Sequence, residues 1–244
     1  MTYDDHRLAA LYDEDNPPGD DHDYFRALID DRGAERIVDL GCGTGALTVT
    51  LARPGRQVIG IDPAAAMLAV ARARPAGDHV EWRLGGSERI DDVSADMIIM
   101  TGNVVMHLVG EVWESTLADV AQGLVSGGTV AFESRNPQAR AWRSWNQPLG
   151  QRRTAAGRLR ESMTTTEPDP DGVVIMSCHN EFLDAGGVVD VEQRLQFRTA
   201  DQICTDLART GLAVSRISRD WGGRPFTGGP EQPLMIFEAT RLPG

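Results

Sequence analysis

Cysteine is scarce in this chain: Cys42, Cys178 and Cys204 are the only three in 244 residues, and no two have CxxC spacing. An odd, scattered set supports neither a disulfide framework nor a zinc site, so three free thiols and no metal are expected. Positive charge is also in deficit. Twenty-four basic residues stand against 36 acidic ones, a formal net charge of −12. The mean field therefore repels phosphate backbones, and nucleic acid is not expected as a partner. The one local exception, Arg152-Arg153 to Arg158-Arg160, reads as a solvated face. No apolar run approaches membrane-spanning length, and the first residues lack a basic start followed by an apolar segment. A cytoplasmic protein that does not engage a membrane is expected. Internal repeats, low-complexity tracts and linkers are missing too, so residues 1–244 read as one domain, monomeric or homodimeric.

What is present is an ordinary globular composition, 41% hydrophobic and 25% charged, in an alternating pattern. Asp20 to Arg32 places Tyr24, Phe25, Leu28 and Ile29 at helical spacing and ends at Gly33, a C-terminal cap. Short apolar runs follow at Arg36–Leu40, Gln57–Ile61, Val80–Leu84, Asp96–Met100 and Thr129–Glu133, typical of strands buried on both faces. Helical stretches Pro63–Arg74 and Glu111–Val125 lie among them. This βαβ alternation predicts a parallel sheet. Thr199 and Gln202 form a capping-box pattern opening a helix to Arg209, and two strands, Ala213–Trp221 and Leu234–Thr240, close the chain.

More than sixty residues separate the fifth strand from that capping box, too many for a plain loop. Leu159–Thr166, Val173–Leu183 and Val188–Arg198 are rich in β-formers and are divided by Pro170-Asp171-Gly172 and Asp184-Ala185-Gly186-Gly187. A three-stranded antiparallel insert within residues 135–198 is expected. In its third strand Val189, Val191, Leu195 and Phe197 share one face, and Asp190, Glu192, Arg194 and Gln196 the other.

The segment Val38-Asp39-Leu40-Gly41-Cys42-Gly43-Thr44-Gly45 runs a strand into a glycine-rich turn ahead of a helical stretch, where backbone can approach a ligand closely. Asp62 stands about twenty residues on, at the end of the second strand, where its carboxylate could accept from both hydroxyls of an adenosine ribose. Gly41, Gly43 and Ala46 also satisfy the relaxed dinucleotide fingerprint, so a nicotinamide-dependent oxidoreductase stays open on these residues. A hydride-transfer Tyr-Lys pair is not evident.

The wider set, VDLGCGTG, IGIDPAAAML, LGGSERI and GLVSGGTVAFES, resembles the class I S-adenosylmethionine-dependent methyltransferase family from Ile37 to the closing strand pair. The resemblance implies a Rossmann-like α/β fold with a seven-stranded sheet whose last strand is antiparallel, and S-adenosylmethionine as cofactor. It implies Asp39, Gly41, Cys42, Gly43 and Gly45 near the methionine part, Asp62 and Pro63 at the ribose, Met67 on the adenine, and Thr101 at the fourth strand's end. Where the family commonly has an acidic residue for the adenine amino group, this chain has Gly86 followed by Ser87, so backbone or Ser87 must serve. Tyr12 resembles the tyrosine that many such enzymes place over the cofactor from an N-terminal segment.

The acceptor side carries a narrower resemblance. Gly102-Asn103-Val104-Val105-Met106-His107 and Arg135-Asn136 are similar to small-molecule N-methyltransferases of the glycine N-methyltransferase type, in which the matching Asn and Arg contact the acceptor's carboxylate, although Pro137 replaces the tyrosine expected there. This implies a small amine bearing a carboxylate, with Asn103, Arg135, His107 and Trp142 at the substrate. His107 is the candidate base should the acceptor be an alcohol, which would make the enzyme an O-methyltransferase. A non-catalytic cofactor-binding protein of the same fold is the remaining alternative.

Overall fold

The computed structural model describes residues 4–243. Seven strands form one sheet: β1 (Arg36–Leu40), β2 (Gln57–Asp62), β3 (Glu81–Leu84), β4 (Ala95–Met100), β5 (Leu124–Arg135), β10 (Leu212–Ser218) and β11 (Leu234–Arg241), in the order β10-β11-β5-β4-β1-β2-β3. The first five run parallel, and β11 pairs antiparallel with both β5 and β10. This is the Rossmann-like sheet with an antiparallel last strand that the sequence led us to expect. The crossovers pass through α3 (Thr48–Leu51), α4 (Ala65–Ala73), the one-turn α5 (Val104–His107) with α6 (Glu111–Gly123), and α7 (Ala200–Arg209), while β3 reaches β4 through a single 3-10 turn at Ser87–Arg89. Ahead of β1 come α1 (His6–Asp15) and α2 (Asp20–Asp31).

The sheet is buried on both faces, which is why its strands read as unbroken apolar runs. On one face Val38, Ile98, Val130, Phe132 and Phe237 pack against Trp113, Leu117, Ile203 and Leu207 of α6 and α7. The Phe132 and Phe237 rings stack at 5.2 Å, and Trp113 meets Phe132 edge-on. On the other face Ile37, Met97, Ile99 and Ala131 receive Phe25 and Ile29 of α2 and Leu51 of α3. The capping box of α7 forms in both directions, with the Thr199 hydroxyl accepting from Gln202 N and the Gln202 amide oxygen accepting from Thr199 N.

Two expectations need correction. Helix α4 begins at Ala65 rather than at Pro63, because the Asp62 carboxylate accepts from Ala64 N and holds Pro63 in the turn before the helix. The insert has four strands: β6 (Gln147–Thr154), β7 (Gly157–Thr165), β8 (Val173–Phe182) and β9 (Val188–Gln196), in that order. The three anticipated strands are β7 to β9. β6 escaped notice because Pro148, Gly150 and a run of polar residues break the alternation, features that mark an exposed edge strand. The inner face of β9 is as expected, with Leu195 and Phe197 buried.

Phe132 lies at the junction of β4, β5 and β11 with no exposure. Phe132→Ala is expected to lose about 3–5 kcal/mol of unfolding free energy through lost transfer and a cavity. Urea titration of the variant with an unchanged m-value checks this.

Candidate cofactor and acceptor site

The strand order reverses between β4 and β1, and the loops leaving those two strands therefore diverge, opening a crevice at their carboxyl ends. The glycine turn lies there. Gly41 has φ +77°, and a Cβ at that position would stand 2.5 Å from Val104 Cγ2 of α5, so only glycine fits. The turn is tied to β2 at three points. Gly41 N and Cys42 N donate to Ile61 O, and Gly43 N donates to Asp62 Oδ2 at 2.8 Å. Asp62 Oδ1 accepts from Ala64 N at 2.8 Å. Burial raises the Asp62 pKa, and these two N–H groups offset part of that effect.

Asp39, at the penultimate position of β1, is almost fully buried. Its Oδ2 accepts from the Thr48 hydroxyl at 2.6 Å, while Oδ1 has no partner. Desolvation pushes its pKa up to about 7, with the Thr48 hydrogen bond opposing. A buried acceptor without a donor is costly. It is the kind of group that an ammonium ligand satisfies.

Helix α1 covers this turn. The Tyr12 ring lies 3.8 Å from where a Gly43 Cβ would stand, and its hydroxyl 3.6 Å from that of Gly102. Tyr12 thus spans the loops after β1 and β4. Asp13 accepts from the Thr44 hydroxyl at 2.5 Å and pairs with Arg74. Ala9 packs on Ala64 and Met67, whereas Leu11 packs on Leu159 and Phe182 of the insert. Arg152 of β6 reaches Glu14 at 3.1 Å and Asp15 at 2.6 Å. The helix is therefore held between the main domain and the insert sheet.

The remaining expected cofactor residues are distributed as follows. Met67 is buried beneath α1, and Cys42 is half-buried with its sulfur against Gly60. Thr101 is half-buried at the end of β4, ahead of Gly102 and of Asn103, which adopts φ +63°. Ser87 does not face the crevice as a free donor: its hydroxyl is given to Asp119 at 2.6 Å on α6. Gly86 N donates to the exposed Glu88 carboxylate, an acidic side chain two residues after the position where one was missed.

On the acceptor side Asn103 and Arg135 do meet. Arg135 Nε donates to Asn103 Oδ1 at 2.8 Å, and among the described residues Arg135 makes no ion pair. Asn103 N in turn donates to Glu133 Oε1, a residue the sequence reading passed over. Its only signal was a lone acid inside the apolar run of β5. His107 ends α5, four residues after Asn103, and desolvation by its neighbours lowers its pKa. Trp142 is buried, with its ring meeting Phe197 edge-on at 4.7 Å and its Nε1 donating to Glu167, which ties the segment after β5 to the insert. A large surface cavity of about 330 Å³, lined by Trp113, Gln196, Arg198 and Asp206, lies between α6 and α7 and away from the glycine turn.

Comparison with known proteins agrees with this geometry. Residues 37–128 match the methyltransferase-domain family. That stretch of the chain, β1 to the start of β5, is similar to a methyltransferase domain. Over 79 residues it is 37% identical to a ubiquinone biosynthesis O-methyltransferase of Bradyrhizobium diazoefficiens, covering 32% of this chain and 31% of that one. The chain thus matches about a third of the length of such curated relatives. A trans-aconitate 2-methyltransferase of Deinococcus radiodurans is 28% identical over 194 residues, 78% of this chain and 71% of that protein. The same fold occurs in the CcbJ methyltransferase from Streptomyces caelestis, with TM-score 0.76, 21% identity and coverage of 100% and 99%. It occurs also in CalS10, described as an amino pentose methyltransferase from Micromonospora echinaspora and solved with S-adenosylmethionine bound, with TM-score 0.66, 20% identity and 95% coverage of both chains. S-adenosylmethionine is the ligand that CalS10 holds, and the crevice at the carboxyl ends of β1 and β4 offers groups suited to it. These are a glycine-only turn, the orphaned Asp39 oxygen for an ammonium, and Asp62 with a lone pair left on each oxygen for ribose hydroxyls.

Two outcomes are expected. Asp62→Ala should weaken S-adenosylmethionine binding by about 1.5–3 kcal/mol or more, measured by calorimetry, because charge-assisted hydrogen bonds are lost; unchanged affinity would remove Asp62 from the ribose. For Asp39, a folded pKa near 7 lies above the unfolded value of 3.8, so between these values the native state keeps a proton that the unfolded chain releases. Stability of the ligand-free protein then falls as pH rises through that window, while affinity for the ammonium-bearing cofactor rises. Asp39→Asn should flatten both profiles.

Proposed function

We propose that this protein is an enzyme that methylates a small-molecule acceptor with S-adenosylmethionine, and that the acceptor is an amine bearing a carboxylate. The observation that carries the reading is the proximity of two features at one sheet edge. The Asp62-clamped glycine turn follows β1 and β2, and the Asn103–Arg135 pair follows β4 and β5. When bound, the cofactor supplies a methyl group already activated by its sulfonium, so the chain's own task is to hold the acceptor in line and keep water out.

Tyr12 and α1 serve the second task by lying across both loops. Arg135 serves the first. Its guanidinium presents a planar fork matched to a carboxylate, and tying Nε to Asn103 leaves the terminal nitrogens to face the ligand. CalS10 is described as an amino pentose methyltransferase, which fits an acceptor that carries an amine. A second reading is favoured by the trans-aconitate relative, whose named substrate is itself a polycarboxylate: the carboxylate held by Arg135 would then be the methylated group. The nicotinamide alternative gains nothing further, because all 24 basic residues are arginine and no Tyr-Lys pair can form.

Screening small amino acids, amino sugars and carboxylic acids for S-adenosylhomocysteine release tests the proposal, and base hydrolysis of the product separates a labile methyl ester from a stable N-methyl group. With an acceptor in hand, Arg135→Lys should raise its KM about tenfold and Arg135→Ala further, cofactor affinity staying within twofold. Normal acceptor kinetics in both variants would contradict the anchor.

A further inference from the structure

Glu133 is the one acid inside the buried stretch of β5. Alternation along the strand sets Ala131, Glu133 and Arg135 on one face, with Phe132 on the other. Ala131 contributes to the core against α2, so Glu133 stands where that core ends and the crevice begins. Its side chain is 3% exposed. Oε1 accepts from Asn103 N, whereas Oε2 has no hydrogen-bond partner and, among the described residues, no cation pairs with the carboxylate.

A buried carboxylate left with an open oxygen costs several kcal/mol unless a donor or a proton arrives. A purely structural role, accepting from Asn103 N, would be met by a glutamine with no charge to bury. A ligand can supply the donor that the site lacks, and the neighbours indicate which kind. Asn103 links the two side chains, giving its N–H to Glu133 and its side-chain oxygen to Arg135. Two residues along a strand set their Cα atoms about 6.5 Å apart on one face, so a small amino carboxylate lying between the two side chains can reach both. One charged group of such a molecule would meet Arg135, and the other Glu133.

We propose that Glu133 Oε2 binds the ammonium group of the acceptor and takes up its proton. This rests on the amine reading above. In this step the N–H bond breaks, an O–H bond forms on Oε2, and the lone pair stays on nitrogen, free to receive the methyl group. The ammonium goes from +1 to neutral and Glu133 from −1 to neutral, and the proton leaves to solvent with product. Burial raises the Glu133 pKa to about 7, opposed by Asn103 N and by Arg135 on β5, and assisted slightly by Asp21 of α2. A base near neutrality suits this transfer, and the cofactor's positive sulfonium makes a neighbouring ammonium more acidic.

The test follows the Glu133 carboxyl carbon by NMR in protein labelled with ¹³C-glutamate, the resonance being assigned by its loss in Glu133→Gln. S-adenosylhomocysteine is first bound and its affinity measured by calorimetry. Glycine and β-alanine are then compared with glycolate and 3-hydroxypropionate, which keep the carboxylate and replace the amine by a hydroxyl. The amines should drive the resonance towards the carboxylate position and lower its midpoint by a pH unit or more, while the hydroxy acids leave it in place. Glu133→Gln should keep S-adenosylhomocysteine affinity within twofold and lose at least a hundredfold in kcat with any amine the wild type methylates. An unmoved resonance with all four probes, or an equal response to both classes, overturns the assignment. Failure of S-adenosylhomocysteine to bind would overturn the methyltransferase reading itself.

Discussion

The reversal of winding direction between β4 and β1 is the constraint on which the site depends. Because β1 connects onward to β2 on one side while β4 connects to β5 on the other, the loops after β1 and β4 part, and a crevice must open at their carboxyl ends. The polar side chains of this region stand at those ends, on four neighbouring strands: Asp39 on β1, Asp62 on β2, Asn103 after β4, and Glu133 with Arg135 on β5. Each strand is apolar up to its last residues, so the core fixes where these groups stand. Their carboxylates are desolvated by the same packing that positions them, which is why Asp39 and Glu133 both have pKa values raised to about 7.

This arrangement carries a stability cost that a ligand can remove. Two buried carboxylates each keep one oxygen without a donor, at positions suited to the two ammonium groups that a methyl transfer to an amine would bring together. Helix α1 completes the enclosure without belonging to the sheet. It packs on α4 through Ala9, on the insert through Leu11, and on the glycine turn through Tyr12 and Asp13. A short helix with so divided an attachment is held by the elements around it, and Arg152 links its last turn to the insert sheet.

The parallel sheet was legible from the sequence because each strand is a short apolar run bounded by turn residues, and the capping box at Thr199 read correctly for the same local reason. The nearness of the glycine turn to Asp62 was legible because glycines ending one parallel strand and an acid ending the next come side by side. Strand β6 was not, since an exposed edge strand needs neither alternation nor branched residues. The partners of Trp142 and Ser87 were not legible, because Phe197 lies 55 positions and Asp119 32 positions away and no local pattern links them. Glu133 went unnoticed because its significance lies in an unpaired oxygen, which no pattern of residue types reveals.

The central claim is the identity of the cofactor, since the acceptor, the base and the anchor all follow from it. Calorimetric titration of the purified protein with S-adenosylmethionine and, separately, with NAD⁺ and NADP⁺ tests it most directly. The account predicts one-to-one binding of S-adenosylmethionine and of S-adenosylhomocysteine, with no heat from either dinucleotide. Binding of a dinucleotide at the same turn, or no binding of S-adenosylmethionine, would contradict it.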